Sequence, residues 1–104
     1  MRTLMGLSNT NIVALIQENA TLFDKFDKVY LFGSVLDDNR FSNDIDLLLI
    51  YTSYSDTIRQ ESNRILNSLE SLSGVPVDLT ILSIEEERET QFLNRISRRC
   101  LKLK

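Results

Sequence analysis

Residues 44–51 read DIDLLLIY and constrain this chain more than any other stretch. Beyond Asp46 the run is apolar on both faces. That fits a strand at residues 45–51, covered by helices on one side and by other structure on the other. A buried strand with two aspartates at its mouth is a costly arrangement unless something offsets their charge.

The rest of the chain supplies the cover. Ile12, Leu15, Ile16, Leu22, Phe23 and Phe26 recur at helical spacing, which predicts a helix over residues 10–22 or slightly beyond, with Ser8 and Asn9 as capping oxygens. Val29 to Phe32 is β-branched and aromatic and reads as a strand ended by Gly33, with a short helix over residues 34–38. Ile58, Ile65, Leu69 and Leu72 share a stripe on a helix over residues 55–73, with Asp56 in its first turn and Gly74 just past its end. VPVDLTIL reads as a third strand over residues 75–82, with Pro76 tolerated near its start. Ser83 and Glu86 form a capping-box pattern. Phe92, Leu93, Ile96, Cys100 and Leu103 then predict one helix running toward the C-terminus, acidic at its start and basic at its end. On this reading Cys100 is a small core residue on the helix's apolar side, and Arg95, Arg98, Arg99, Lys102 and Lys104 are a solvated helix end. Tyr30, Tyr51 and Tyr54 read as core or rim packing.

The length of 104 residues sets one domain, residues 1–104, as the expectation. A net charge of −3, from 12 basic and 15 acidic side chains, weighs against nucleic acid as the main partner. No apolar run approaches the ~18 residues of a membrane span, and the N-terminal stretch lacks a secretory pattern. With a single cysteine, Cys100, these features point to a cytoplasmic protein. The chain has no histidine, so a Ser-His-Asp triad, a Cys-His pair and a His-based zinc site are excluded. Any chemistry must use carboxylates, hydroxyls, lysine, arginine or a hard cation held through oxygen.

Carboxylates are where the sequence concentrates. In a strand, residues two apart project from one face, so Asp44 and Asp46 would point together, ~7 Å apart at the backbone. They repel unless a cation sits between them, and Mg²⁺ prefers such oxygen ligands. The alternative is that Asp44 belongs to the preceding loop and only Asp46 enters the strand. Asp78 stands mid-strand in an apolar context. Either it lies on an exposed edge, or it joins Asp44 and Asp46. Such a cluster should raise at least one carboxyl pKa above its ordinary value. Gly33-Ser34 stands at a strand-to-helix turn. Such a turn can hold phosphate oxygens through amides and a hydroxyl, although most glycines of this kind only turn the chain.

Taken together, LFGS, nine residues, DIDLLL and a later strand with VDL resemble the nucleotidyltransferases of the DNA polymerase β superfamily. The resemblance covers residues 29–82. It implies an α/β (α+β) nucleotidyltransferase fold, a small mixed sheet of three or more strands flanked by helices. It also implies a catalytic and metal-binding set, Asp44, Asp46 and Asp78, with Gly33 and Ser34 on the nucleotide. Two Mg²⁺ ions (Mn²⁺ as an alternative) would serve ATP: one held by Asp44 and Asp46 at the β- and γ-phosphates, the other by all three aspartates between the α-phosphate and the attacking hydroxyl. Asp78 would help remove that hydroxyl's proton, and the Gly33 amide and Ser34 would steady the departing pyrophosphate.

The size is similar to minimal members that act as antitoxins beside a HEPN-domain toxin, some by moving AMP from ATP to a tyrosine of the toxin. A HEPN partner and a hetero-oligomer are therefore expected. The alternatives are an antitoxin or scaffold that works by binding alone, and transfer to a small molecule or a nucleic acid end. The chain departs from the family pattern at Val35, Asp37 and Asp38, where acidic residues stand near the expected triphosphate. Arg40 is a candidate replacement for the missing basic contact.

Overall fold

The computed structural model describes residues 8–37 and 44–104. Asp38 and Arg40, and the end of the short helix expected through residue 38, lie outside the described residues. The chain runs α1 (Asn9–Glu18), a 3₁₀ turn (Ala20–Phe23), β1 (Lys28–Phe32), a 3₁₀ turn (Ser34–Leu36), β2 (Ile45–Tyr51) and α2 (Asp56–Ser73). It continues with β3 (Val77–Ser83), α3 (Ile84–Thr90), α4 (Phe92–Ile96), a 3₁₀ turn (Ser97–Arg99) and β4 (Cys100–Lys102). The strands form a mixed sheet in the order β3-β2-β1-β4. The β2–β3 pair is parallel, and β1 is antiparallel to both its neighbours.

The apolar run of β2 explains the layering. Ile45, Leu47 and Leu49 share one sheet face with Val29, Leu31 and Val77, and Ile12 and Ile16 of α1 pack there with Ile58, Ile65 and Leu69 of α2. Leu48 and Ile50 point to the other face and are also buried. There α3 and α4 provide the cover, with the Phe92 ring set edge-on against Phe32 at 5.6 Å. Burying both faces of β2 removes about 1.5–3 kcal/mol of exposure cost per large apolar side chain. α1 is capped as expected, Ser8 accepting from the Asn11 amide at 3.2 Å. It ends at Glu18, earlier than its periodicity suggests, because the chain tightens into the 3₁₀ turn that buries Leu22 and Phe23.

Two expectations fail. Leu72 is 49% exposed, because α2 seats a face rotated toward Ser62 and Ser73. Those two small residues let the helix approach closely, each hydroxyl donating to the carbonyl four residues back, Ile58 at 2.7 Å and Leu69 at 2.6 Å.

The long C-terminal helix is the second. The Ser83–Glu86 capping box forms, but the helix stops at Thr90 and Gln91 turns left-handed at φ 55°. After α4 the chain becomes extended and Cys100 pairs with Phe32 across β1. Cys100 is thus a strand residue, half-buried on the sheet, with its thiol pKa raised by burial. Leu101 and Leu103 pack against the core. The basic residues are not simply a solvated helix end. Arg95 stacks over Phe92 at 5.2 Å, and the Lys104 ammonium donates to the carbonyls of Phe23 and Asp24 at 3.3 and 3.0 Å.

Candidate active site

The register of the sheet assembles the site. Asp46 lies opposite Asp78 across the parallel pair, and opposite Phe32 across the antiparallel one. One cross-strand row therefore reads Cys100, Phe32, Asp46, Asp78. Asp44 stands one residue before β2 rather than in it, yet it reaches the same point: Asp44, Asp46 and Asp78 each present a carboxylate oxygen, all within 4.8 Å of one another. Both halves of the open reading for Asp78 hold. It is exposed on the edge strand β3, and it also joins the other two aspartates.

Three converging carboxylates have an electrostatic consequence. The Asp46 pKa is raised, first by burial, then by the negative charges of Asp44 and Asp78. Burial leads because Asp46 sits on the central strand β2, with Phe32 across from it and its carboxylate against Gly33. A set of oxygen donors alone, crowded enough to disfavour its own charge, suits a hard divalent cation and offers nothing to a soft one.

Gly33 completes the cradle for Asp46. Its backbone adopts φ 87° and ψ −159°, a region essentially limited to glycine. A Cβ built there would overlap the Asp46 Oδ2 and lie 3.3 Å from its Cγ. The Gly33 amide donates to the Arg99 carbonyl at 3.3 Å, so in this structure it is turned to the C-terminal segment. Ser34 begins the 3₁₀ turn beside it.

Sequence reasoning missed two residues here. Arg99 closes an ion pair to Asp37 at 3.2 Å, which offsets one of the acidic charges that departed from the family pattern. Asn9 donates from Nδ2 to the carbonyls of Ser34 at 3.3 Å and Asp37 at 2.8 Å. Nothing local in the sequence marks either contact, since the partners lie 62, 25 and 28 residues away.

A mixed sheet with an acidic triad beside a Gly-Ser turn defines the nucleotidyltransferase class. The family model described as Polymerase beta, Nucleotidyltransferase matches residues 11–101, and the chain belongs to that family. No curated protein sequence matches it. Among solved structures it is similar to a tri-AMPylated Shewanella oneidensis HEPN toxin in complex with MNT antitoxin, at 20% identity and TM-score 0.55, covering 94% of this chain and 72% of that one. It is also similar to a toxin–antitoxin structure with AMP-PNP, at 24% identity and TM-score 0.55, over 94% of this chain and 73% of that one. A nucleotidyltransferase from Sulfolobus solfataricus, described there as a candidate, aligns at 15% identity and TM-score 0.50, over 94% and 87% of the two chains. Among the described residues no helix is long and apolar enough to cross a membrane.

Proposed function

We propose that this nucleotidyltransferase moves AMP from ATP onto a tyrosine hydroxyl of a HEPN-type toxin and thereby acts as its antitoxin, in a hetero-oligomer with it. The observation that carries the reading is the convergence of Asp44, Asp46 and Asp78 within 4.8 Å, next to the Gly33-Ser34 turn. The AMPylated toxin complex and the AMP-PNP structure among its neighbours support the choice of nucleotide and acceptor.

In the reaction, the acceptor oxygen bonds to the α-phosphorus, the bond from that phosphorus to the bridging oxygen breaks, and pyrophosphate leaves. Asp44, Asp46 and Asp78 would hold the divalent ions, Mg²⁺ or Mn²⁺, which when bound neutralise charge on the phosphates and the attacking oxygen. Placement on two hydrogen-bonded strands fixes Asp46 and Asp78 before substrate arrives, which lowers the cost of assembling the site. Asp78, the exposed member, would accept the proton of the hydroxyl. The Ser34 turn would orient the β- and γ-phosphates, and the Arg99 pairing reduces the repulsion Asp37 offers them.

Labelled ATP, Mg²⁺ and a HEPN protein encoded beside this chain provide the test. Label should pass to the HEPN protein with the wild type and not with Asp46→Asn, while the two proteins still co-purify. Transfer that survives Asp46→Asn removes the mechanism. Co-purification and toxin neutralisation without any transfer would favour an antitoxin that acts by binding alone.

A further inference from the structure

The turn that opens the site is held by a side chain from the start of the described fold. Asn9 is the first residue of α1 and only 6% exposed. A polar side chain so deeply buried needs partners, and its Nδ2 finds two, the carbonyls of Ser34 and Asp37. The turn itself is short. Ser34–Leu36 is three residues long, closed by the Leu36 amide on the Gly33 carbonyl at 3.1 Å and the Asp37 amide on the Ser34 carbonyl at 2.9 Å. So short a 3₁₀ segment is marginal alone.

Peptide planarity makes the Asn9 contact directional. The Ser34 carbonyl and the Val35 amide belong to one trans peptide and point opposite ways. Drawing the carbonyl toward α1 therefore sets the Val35 N–H away from it. Arg99 secures the turn a second time, its carbonyl on the Gly33 amide and its guanidinium on Asp37. Between them Val35 is buried at 1% exposure, and Leu36 and Val13 line the groove against α1.

We propose that Asn9 is a positioning residue for nucleotide binding: its amide locks the Ser34–Asp37 turn in the conformation that presents Ser34 to phosphate. This rests on the reading that the turn binds the phosphates of ATP. Metal binding depends on the three aspartates, none of which Asn9 touches through these two bonds. Loss of Asn9 should therefore separate nucleotide affinity from metal affinity.

The experiment titrates Mn²⁺ alone, and then a non-hydrolysable ATP analogue in Mn²⁺, into wild type, Asn9→Ala and Asn9→Ser by calorimetry. Each is measured at a temperature where circular dichroism shows it folded. Ser73→Ala, which removes a buried hydroxyl in α2, is the control for lost stability alone. The Asn9 variants should bind Mn²⁺ within about twofold of wild type and lose about tenfold or more in affinity for the analogue, the scale of one or two hydrogen bonds. Ser73→Ala should melt lower and bind the analogue as wild type does. In turnover with ATP the Asn9 variants should raise KM more than they lower kcat. Asn9 variants that bind the analogue as wild type does would reduce Asn9 to a structural role and overturn the proposal. A wild type that binds Mn²⁺ but not the analogue would instead overturn the nucleotide reading on which it rests.

Discussion

Gly33 leaves room for the Asp46 carboxylate: a side chain at Gly33 would occupy the space that Asp46 Oδ2 fills. The conflict cannot be relieved by a rotation of Gly33, whose φ of 87° already requires glycine. The Asp46 backbone is held by pairing on both sides of its strand, so it is the carboxylate that must swing away from a side chain at position 33. Gly33→Ala should therefore destabilise the protein by about 1–3 kcal/mol through backbone strain and displace the carboxylate. Melting and Mn²⁺ titration together check this. A lower melting temperature with undiminished Mn²⁺ affinity would show that the carboxylate position does not depend on Gly33.

Asp46→Asn removes one charge from the crowded cluster at nearly constant shape. In chelator the variant should melt no lower than wild type, since the folded state loses repulsion and the cost of a partly buried charge. With Mn²⁺ the order should reverse. A ligand at about a hundred times its dissociation constant adds about 2.7 kcal/mol to the state that binds it, and the variant should lose most of that response. A variant that melts well below wild type in chelator would assign Asp46 a structural role instead.

The same group gives a signed pH dependence. The folded-state pKa of Asp46 is raised from its ordinary 3.8, so protonation favours the folded state. Its contribution is fully present below the unfolded pKa and is lost as pH rises through the folded one. In metal-free buffer, the melting temperature of Asp46→Asn minus that of wild type should be near zero in acid. It should grow as pH passes upward out of the carboxylate range, then level off. A difference that shrinks as pH rises would reverse the sign and place a favourable partner beside Asp46.

The C-terminal strand makes a prediction that a helix would not. In β4, Leu101 packs against the core, whereas Lys102 is exposed. Leu101→Ala should cost about 1–3 kcal/mol, and Lys102→Ala should stay within about 0.5 kcal/mol, both read by denaturant melts. A helix with Cys100 and Leu103 on its buried side would make Leu101 the tolerant position.

How far the sequence reaches can be judged from these same residues. The bounds of β2 and the burial of both its faces follow from IDLLLIY, because a continuous apolar run has no polar face to offer water. The parity of Asp46 and the alternation around Asp78 are local properties of an extended chain, so the amino acids themselves determined on which side of each strand these carboxylates project. The C-terminal segment departs from its expected helix because Phe92, Leu93, Ile96, Cys100 and Leu103 satisfy a helical period while RCLKLK, at its end, also alternates with a period of two. Local pattern does not choose between them; pairing with β1 does, through backbone bonds such as Leu103 N–H to the Val29 carbonyl at 2.8 Å.

Tertiary structure alone decided what lies beside what. It set Asp46 in register with Asp78, brought Asp44 to them from outside the strand, and closed the Gly-Ser turn with Asn9 and Arg99. Those relationships depend on which strand edges hydrogen-bond and on how the chain ends return to the sheet. They are long-range contacts whose partners leave no periodic mark in the sequence.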